Sequence, residues 1–245
     1  MNTITAVQRR TVVVTGAARG QGAAHAALLA RTGYRVVMTD VLDEIGEQYA
    51  ATVRTRGYDV DYRRLDVTDE ADWARLASSL AATDAAVCGL VNNAGILRYG
   101  LISDTSVQTW TLHERVNTLG PFLGIRALAP LMTTTGSIVN VSSTAALVGS
   151  AGYAAYAASK AALIALTKVA AVECAPRVRV NVVCPGGVAT PMNDDEPAGG
   201  TSSDAPLARR ARPEEISPLI QYLISEASSF VTGSTFTIDG GLTAV

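Results

Sequence analysis

Short runs of β-branched and apolar residues punctuate this chain, and a stretch of helical character follows almost every one. The runs are TVVVTG at 11–16, YRVVMTD at 34–40, DYRRLDV at 61–67, GLVNNAG at 89–95, GSIVNVSS at 136–143, VRVNVVCPG at 178–186 and STFTIDGG at 234–241. Several are apolar without alternation, as in strands covered on both faces. Between them, 22–32 is rich in Ala and Leu, 43–56 and 70–82 mix charged with apolar positions, and 106–132 and 155–175 are longer. Pro213 followed by Glu214 and Glu215 is a first-turn signature and opens a helix over 213–226. Strand alternating with helix predicts an α/β fold with a parallel sheet and helices on both faces. No tandem repeat or linker divides the 245 residues, so 1–245 reads as a single domain. The one loose segment is 193–212, rich in Asp, Gly, Ser, Pro and Ala, which is either a lid or a plain surface loop.

Charge and composition narrow the function. The formal net charge is −2, so no global field recruits nucleic acid or an anionic membrane. No apolar run approaches the roughly 20 residues of a membrane span, and the N-terminal stretch MNTITAVQRR lacks the apolar centre of a secretory signal. Cys88, Cys174 and Cys184 are odd in number, widely spaced and set in apolar context. They read as buried reduced thiols of a cytoplasmic protein. His25 and His113 have no ligand-like spacing to them, so no metal is expected.

Chemistry begins with TGAARGQG at 15–22, where Gly16, Gly20 and Gly22 stand between a strand and a helix. Glycine permits the tight turn and lets backbone N–H groups approach a pyrophosphate at the helix N-terminus. The spacing is GxxxGxG rather than GxGxxG, and a turn of this kind also serves close helix–strand packing alone. Asp40 ends the second strand at the distance where a carboxylate meets an adenosine ribose. A carboxylate there accepts from ribose hydroxyls and repels a 2′-phosphate, favouring NAD(H) over NADP(H). Arg19 opposes that reading, since its guanidinium suits a phosphate.

YAAYAASKAAL at 153–163 carries two phenols and one ammonium among small residues. Tyr156 and Lys160 are four apart, so a helix puts them on one face. Tyr153 is seven from Lys160 and too far for contact. A phenol titrates near 10, and a neighbouring ammonium lowers that value, which makes Tyr156–Lys160 a tuned acid/base pair.

The chain here resembles the short-chain dehydrogenase/reductases. The resemblance runs from Thr11 nearly to the C-terminus, on TGAARGQG, LDV at 65–67, NNAG at 92–95, Asn117 in RVNTLGPF, SS at 142–143, YAASK at 156–160, PGGVATPM at 185–192 and TIDGG at 237–241. It implies a Rossmann-type doubly wound sheet of about seven strands, and an NAD(H)-dependent oxidoreductase interconverting a secondary alcohol and a ketone. It implies that Tyr156 exchanges the proton with substrate oxygen, and that Lys160 lowers the tyrosine pKa and holds the nicotinamide ribose. Ser143, thirteen before the tyrosine, is implied to hydrogen-bond the carbonyl in preference to Ser142, and Asn117 to order a water chain toward the lysine. Implied cofactor contacts come from Gly16, Arg19, Gly20, Gln21, Gly22, Asp40, Asp66, Val67, Asn93, Ala94, Gly95, Tyr156, Lys160, Pro185, Gly186, Val188 and Thr190.

The substrate pocket is expected from Ile96, Leu97, Ala145, Leu147, Val148, Gly149, Tyr153, Gly187 and Met192. These are mostly apolar or small, with Arg98 the only nearby cation, which implies a neutral, hydrophobic alicyclic, aryl or steroid-like substrate. Two readings compete. An NADPH-dependent 3-oxoacyl-carrier-protein reductase would want basic residues before the GSIVN strand, where this chain has the uncharged LMTTTG at 131–136. A catalytically inactive dinucleotide-binding sensor would lack the serine, tyrosine or lysine present here. The resemblance also implies a homo-oligomer, a tetramer or else a dimer, held by 106–132, 155–175 and the C-terminal region.

The two tyrosines are separable by steady-state kinetics. Tyr153→Phe should change KM more than kcat, while Tyr156→Phe should lower kcat by roughly 100-fold or more, the scale of general acid–base catalysis. The opposite pattern would exchange their roles.

Overall fold

The structure is a computed structural model and describes residues 10–83, 86–193 and 204–244. Its strands are β1 (Arg10–Thr15), β2 (Arg35–Asp40), β3 (Val60–Arg64), β4 (Ala86–Asn92), β5 (Gly136–Val141), β6 (Val178–Pro185) and β7 (Thr235–Ile238). Its helices are α1 (Gly20–Arg31), α2 (Asp43–Arg54), α3 (Glu70–Ala81), α4 (Val107–Glu114), α5 (Gly120–Leu128), α6 (Ala154–Cys174) and α7 (Pro213–Ile224). The strands form one parallel sheet in the order β3-β2-β1-β4-β5-β6-β7. The order runs outward from β1 to β3, then restarts at β4 on β1's other side. That reversal opens a crevice beyond the C-terminal ends of β1 and β4, where open α/β sheets bind ligands.

Alternate strand residues point to opposite faces. Val12, Val14, Val36 and Met38 enter one core with Leu29 of α1 and Ile220, Leu223 and Ile224 of α7. Val13, Val37 and Leu90 enter the other with Trp73, Leu76 and Leu80 of α3 and Leu123 and Leu128 of α5. Both faces are covered at the centre of the sheet, which is why several strands read as apolar runs. Each such side chain stabilises the fold by about 1.5–3 kcal/mol when fully buried.

Two expectations change. The single helix expected over 106–132 is α4, a π turn at Arg115–Leu119, α5 and a 3-10 turn at Ala129–Leu131. Pro121 explains the widened turn: it has no N–H for the carbonyl of Asn117, and its ring crowds that carbonyl. The second concerns α6, which has the length and apolar composition of a membrane span. The sequence reading missed this because Lys160 and Lys168 interrupt the apolar run. In this fold α6 packs on β6 and buries Ser159, Lys160 and Thr167 beside Leu163, the inward face of a core helix.

Close packing fixes the site's outer edge. A Cβ on Gly46 would lie 2.1 Å from the Tyr62 ring. That ring cannot swing away cheaply, because its hydroxyl donates to Asp40 O and Asp43 Oδ1. Gly46→Ala should therefore cost about 1–3 kcal/mol by overpacking, or roughly 2–12 °C in Tm for a chain of this size. Calorimetry checks this, and an unchanged Tm would mean that α2 moves freely.

Candidate active site

Where the turn after β1 meets the turn after β4, backbone touches backbone. Gly16 has φ +63°, and a Cβ there would lie 2.7 Å from Ala94 Cα. A Cβ on Gly22 would lie 2.2 Å from Gly16 O. Asn93 Nδ2 donates to Thr15 O (3.0 Å) and Gly16 O (3.1 Å), and Thr15 Oγ1 accepts from the N–H groups of Asn93 and Ala94. Gly20, φ +59°, faces Thr190, whose Cγ2 would be 3.3 Å from an added Cβ. Segments 16–22, 93–95 and 188–190 thus close around the start of α1.

Asp40 sits at the end of β2. Its Oδ2 accepts from Ala18 N–H (3.0 Å), and its Oδ1 from Val41 N–H (2.8 Å) and Leu42 N–H (3.1 Å). The carboxylate therefore holds the glycine turn and caps the entry to α2, and keeps lone pairs for a further donor. Arg19 is exposed and makes no ion pair among the described residues. Asp66 N–H donates to Asp72 Oδ2, and Asp66 Oδ1 accepts from Thr68 N–H. Val67 is buried beneath Gly120.

Tyr153 is the N-cap of α6 and lies outside its first turn. Tyr156 and Lys160 follow on one face, with Lys160 Nζ 5.8 Å from the Tyr156 ring centroid. Lys160 is buried and donates to Val141 O at 2.8 Å. Burial pushes its pKa down to about 8, against a smaller opposing effect of Cys184. Both paired serines border the cleft, but Ser142 is buried and spends its hydrogen on Lys160 O. Ser143 Oγ accepts from Ala145 N–H at 3.1 Å, which leaves its own hydrogen available to the cleft. Asn117 Nδ2 donates to Ile96 O and Ser159 Oγ, and its Oδ1 accepts from Ile96 N–H. Both of its amide hydrogens thus hold neighbours, while Oδ1 keeps a lone pair for a further donor. A Cβ on Gly95 would lie 3.2 Å from both Asn117 Oδ1 and Lys160 Nζ, so glycine leaves that space open beside the ammonium.

Of the residues named from the sequence, the cleft is lined by Gln21, Leu97, Ser143, Ala145, Tyr153, Tyr156, Pro185, Gly186, Gly187, Val188 and Met192. Ile96, Leu147 and Val148 are not on its wall. The backbone of Ile96 is clasped by Asn117, and Leu147 and Val148 are 43% and 39% exposed. Gly149 has nothing within 4 Å of an added Cβ. Thr144, Ser150 and Asn193 join the lining, making it more polar than the sequence led us to expect. Only the serine and threonine beside Ser143 offered a signal for them. Of the expected lid, 194–203 lies outside the described residues. Its return segment bridges to residues 187–189, through Ala189 N–H to Ala211 O and Ala211 N–H to Gly187 O, both 2.9 Å. Cys88 and Cys184 are buried as expected, whereas Cys174 is partly exposed at the end of α6.

The cradle fits a dinucleotide. Gly16 and Gly22 let the backbone close up with no Cβ in the way, and the buried Gln21 Oε1 on the cleft wall has no partner among the described residues. Residues 16–243 match the family model described as enoyl-(acyl carrier protein) reductase. The chain is 42% identical to the cyclopentanol dehydrogenase of Comamonas sp., covering 97% of this chain and 98% of the relative. The chain belongs to the short-chain dehydrogenase/reductase family. It is also 40% identical to the 3-alpha-(or 20-beta)-hydroxysteroid dehydrogenase of Mycobacterium tuberculosis, over 96% of this chain and 90% of that protein. A gluconate 5-dehydrogenase from Burkholderia cenocepacia, solved with NADP and tartrate, superposes with a TM-score of 0.91 at 31% identity, covering 96% of each chain. As a member of this family the chain is an oxidoreductase of alcohols and ketones with a nicotinamide dinucleotide cofactor.

Lys160 makes stability depend on pH. The folded value of about 8 lies below the ordinary 10.5. Between those values the unfolded chain binds the extra proton, so Lys160 makes the protein more stable as pH rises through that window, by about 3 kcal/mol in all. Below pH 8 both states are charged and the full burial penalty applies. Burial raises Cys88 and Cys184 and acts in the opposite sense, so the informative quantity is the difference between parent and Lys160→Met. Urea unfolding of the cofactor-free protein should show Lys160→Met relatively more stable at neutral pH, with the gap closing toward pH 10. A pH-independent gap would contradict the buried-ammonium assignment.

Proposed function

We propose that this enzyme interconverts a neutral, hydrophobic alicyclic secondary alcohol and its ketone with NAD(H). One observation carries the reading: a serine with an uncommitted hydrogen and a tyrosine beside a buried ammonium share one cleft with the glycine turn. When bound, the nicotinamide supplies or accepts the hydride. Ser143 donates to the substrate oxygen as negative charge develops there, and Tyr156 delivers the proton. Lys160 stabilises the phenolate left behind, and in the oxidative direction that phenolate takes the alcohol proton. Asn117 holds Ile96 and Ser159 so that the lysine and its neighbours keep their places.

Asp40 supports NAD(H). Three backbone N–H groups fix its carboxylate where a 2′-phosphate would meet it, at a cost in like-charge repulsion. The names of the cyclopentanol and hydroxysteroid relatives support an alicyclic substrate. Thr144, Ser150 and Asn193 add hydrogen-bonding capacity away from the reacting carbon. An acyl-carrier-protein substrate is disfavoured, because LMTTTG offers no cation to an acidic carrier. The presence of serine, tyrosine and lysine together disfavours an inactive sensor.

We read 1–245 as one catalytic domain in which 193–212 closes over substrate. Copies would pair into a tetramer through α4, α5 and α6. A groove there, lined by Leu119, Phe122, Ala158, Ala162 and Leu166, is apolar, and Val169 and Val172 lie exposed nearby along α6. The free thiols suit a cytoplasmic enzyme.

The test is NADH against NADPH oxidation over cyclopentanone, cyclohexanone, aryl and steroid ketones, charged oxo acids and an acetoacetyl thioester. The alicyclic ketones should be reduced, with kcat/KM for NADH at least about tenfold above that for NADPH, equivalent to about 1.4 kcal/mol. Turnover confined to charged acids or to the thioester would overturn the substrate reading, and a preference for NADPH would overturn the role given to Asp40.

A further inference from the structure

Two side chains four residues apart hold the segment that leaves β4. Asn117 clasps Ile96 through both its N–H and its carbonyl. His113, one turn earlier and fully buried, accepts from Arg98 N–H at Nε2 (3.1 Å). The other ring nitrogen, Nδ1, lies 2.8 Å from Thr109 O. A backbone N–H can only donate and a carbonyl can only accept, so the ring is held as the neutral Nδ1–H tautomer. Residues 96 and 98 are thereby tied, one to each side chain, to one face of the helix.

The same imidazole packs against Tyr156, with centroids 6.4 Å apart and planes at 76°. Tyr153 packs against Tyr156 at 6.4 Å and 60°. Tyr99, next in chain after Arg98, packs on Tyr153 at 5.7 Å and 83°, and Gly100 N–H donates to Gly152 O. The strap 96–100 thus touches Tyr156 by two routes, through His113 and through Tyr99 and Tyr153. His113 is the only buried residue of α4, so it is also the point where that helix is anchored to the interior.

We propose that His113 is a positioning residue for the proton transfer: by tying Arg98 to α4 and bracing the ring of Tyr156, it sets where the phenol points. The inference rests on Tyr156 being the proton donor, so Tyr156→Phe is measured alongside.

The test uses His113→Leu, His113→Gln and His113→Asn in the full chain, with kcat, KM for the ketone, the NADH dissociation constant from fluorescence, and Tm. His113→Leu leaves the Arg98 N–H without an acceptor. It should lower kcat by roughly 10- to 100-fold, the scale of an ångström-sized misplacement, and leave NADH affinity within about twofold. The oxygen of glutamine reaches the place of Nε2, so His113→Gln should restore most of the rate. Asparagine stops at the place of Nδ1, so His113→Asn should not. Unchanged kcat in His113→Leu, equal rates for the Gln and Asn variants, or NADH affinity falling in step with kcat would each overturn the inference. The Gln–Asn comparison decides the matter even where His113→Leu folds poorly. Full turnover in Tyr156→Phe would instead overturn the assignment of the proton donor itself.

Discussion

The contact between Gly16 and Ala94 sets the geometry on which everything else in this molecule rests. Two turns from neighbouring strands approach so closely that no side chain fits between them. Asn93 then closes the seam by giving both hydrogens of its amide to the carbonyls of Thr15 and Gly16. Asp40 fastens the same turn from β2. A methyl group at the seam would wedge β1 and β4 apart where the sheet order reverses, and the crevice would lose its floor. Missing Cβ atoms shape this site as much as the side chains that are present.

Against that floor the protein places a charge where charge is expensive. Lys160 is surrounded by protein and has one backbone carbonyl as a close partner. An interior cation with so little compensation weakens the fold. It is the kind of local disadvantage that tuned acid–base sites carry. Its neighbours are arranged to keep it in position: Ser142 ties the lysine carbonyl back to the end of β5, and Asn117 restrains Ser159.

The centre of the sheet was legible because both of its faces are covered, so β1, β2, β4, β5 and β6 carry apolar runs with little alternation. Tyr156 and Lys160 were legible as a pair because they stand one helical turn apart, and Ser143 was legible through the family resemblance, which favours the serine thirteen residues before the tyrosine. What escaped notice depends on three-dimensional neighbours. Ile96 looked like pocket wall, and nothing in its surroundings along the chain announced that Asn117 would grip its backbone. Leu147 and Val148 were apolar and close to Ser143 in sequence, yet they are partly exposed and off the cleft wall. Thr144 and Asn193 reach the cleft from single 3-10 turns and Ser150 from a loop, stretches too short for periodicity to report orientation. The π turn within 106–132 did have a signal, since Pro121 sits in mid-pattern, but a widened turn is harder to foresee than a helix end.

That turn matters beyond its local shape. A π turn holds one residue more than an α-helical turn, and each residue of an α-helix advances the face by about 100°. Everything after Arg115–Leu119 is therefore rotated relative to everything before it. His113 and Asn117 still reach the same strap, while Leu123 and Leu128 still reach the core behind the sheet. Two surfaces of one helix are phased independently by a single surplus residue. The stretch thus encodes part of its function as a length: shortening it by one would turn either the strap-holding face or the core-filling face away from its target, with the remaining side chains unchanged.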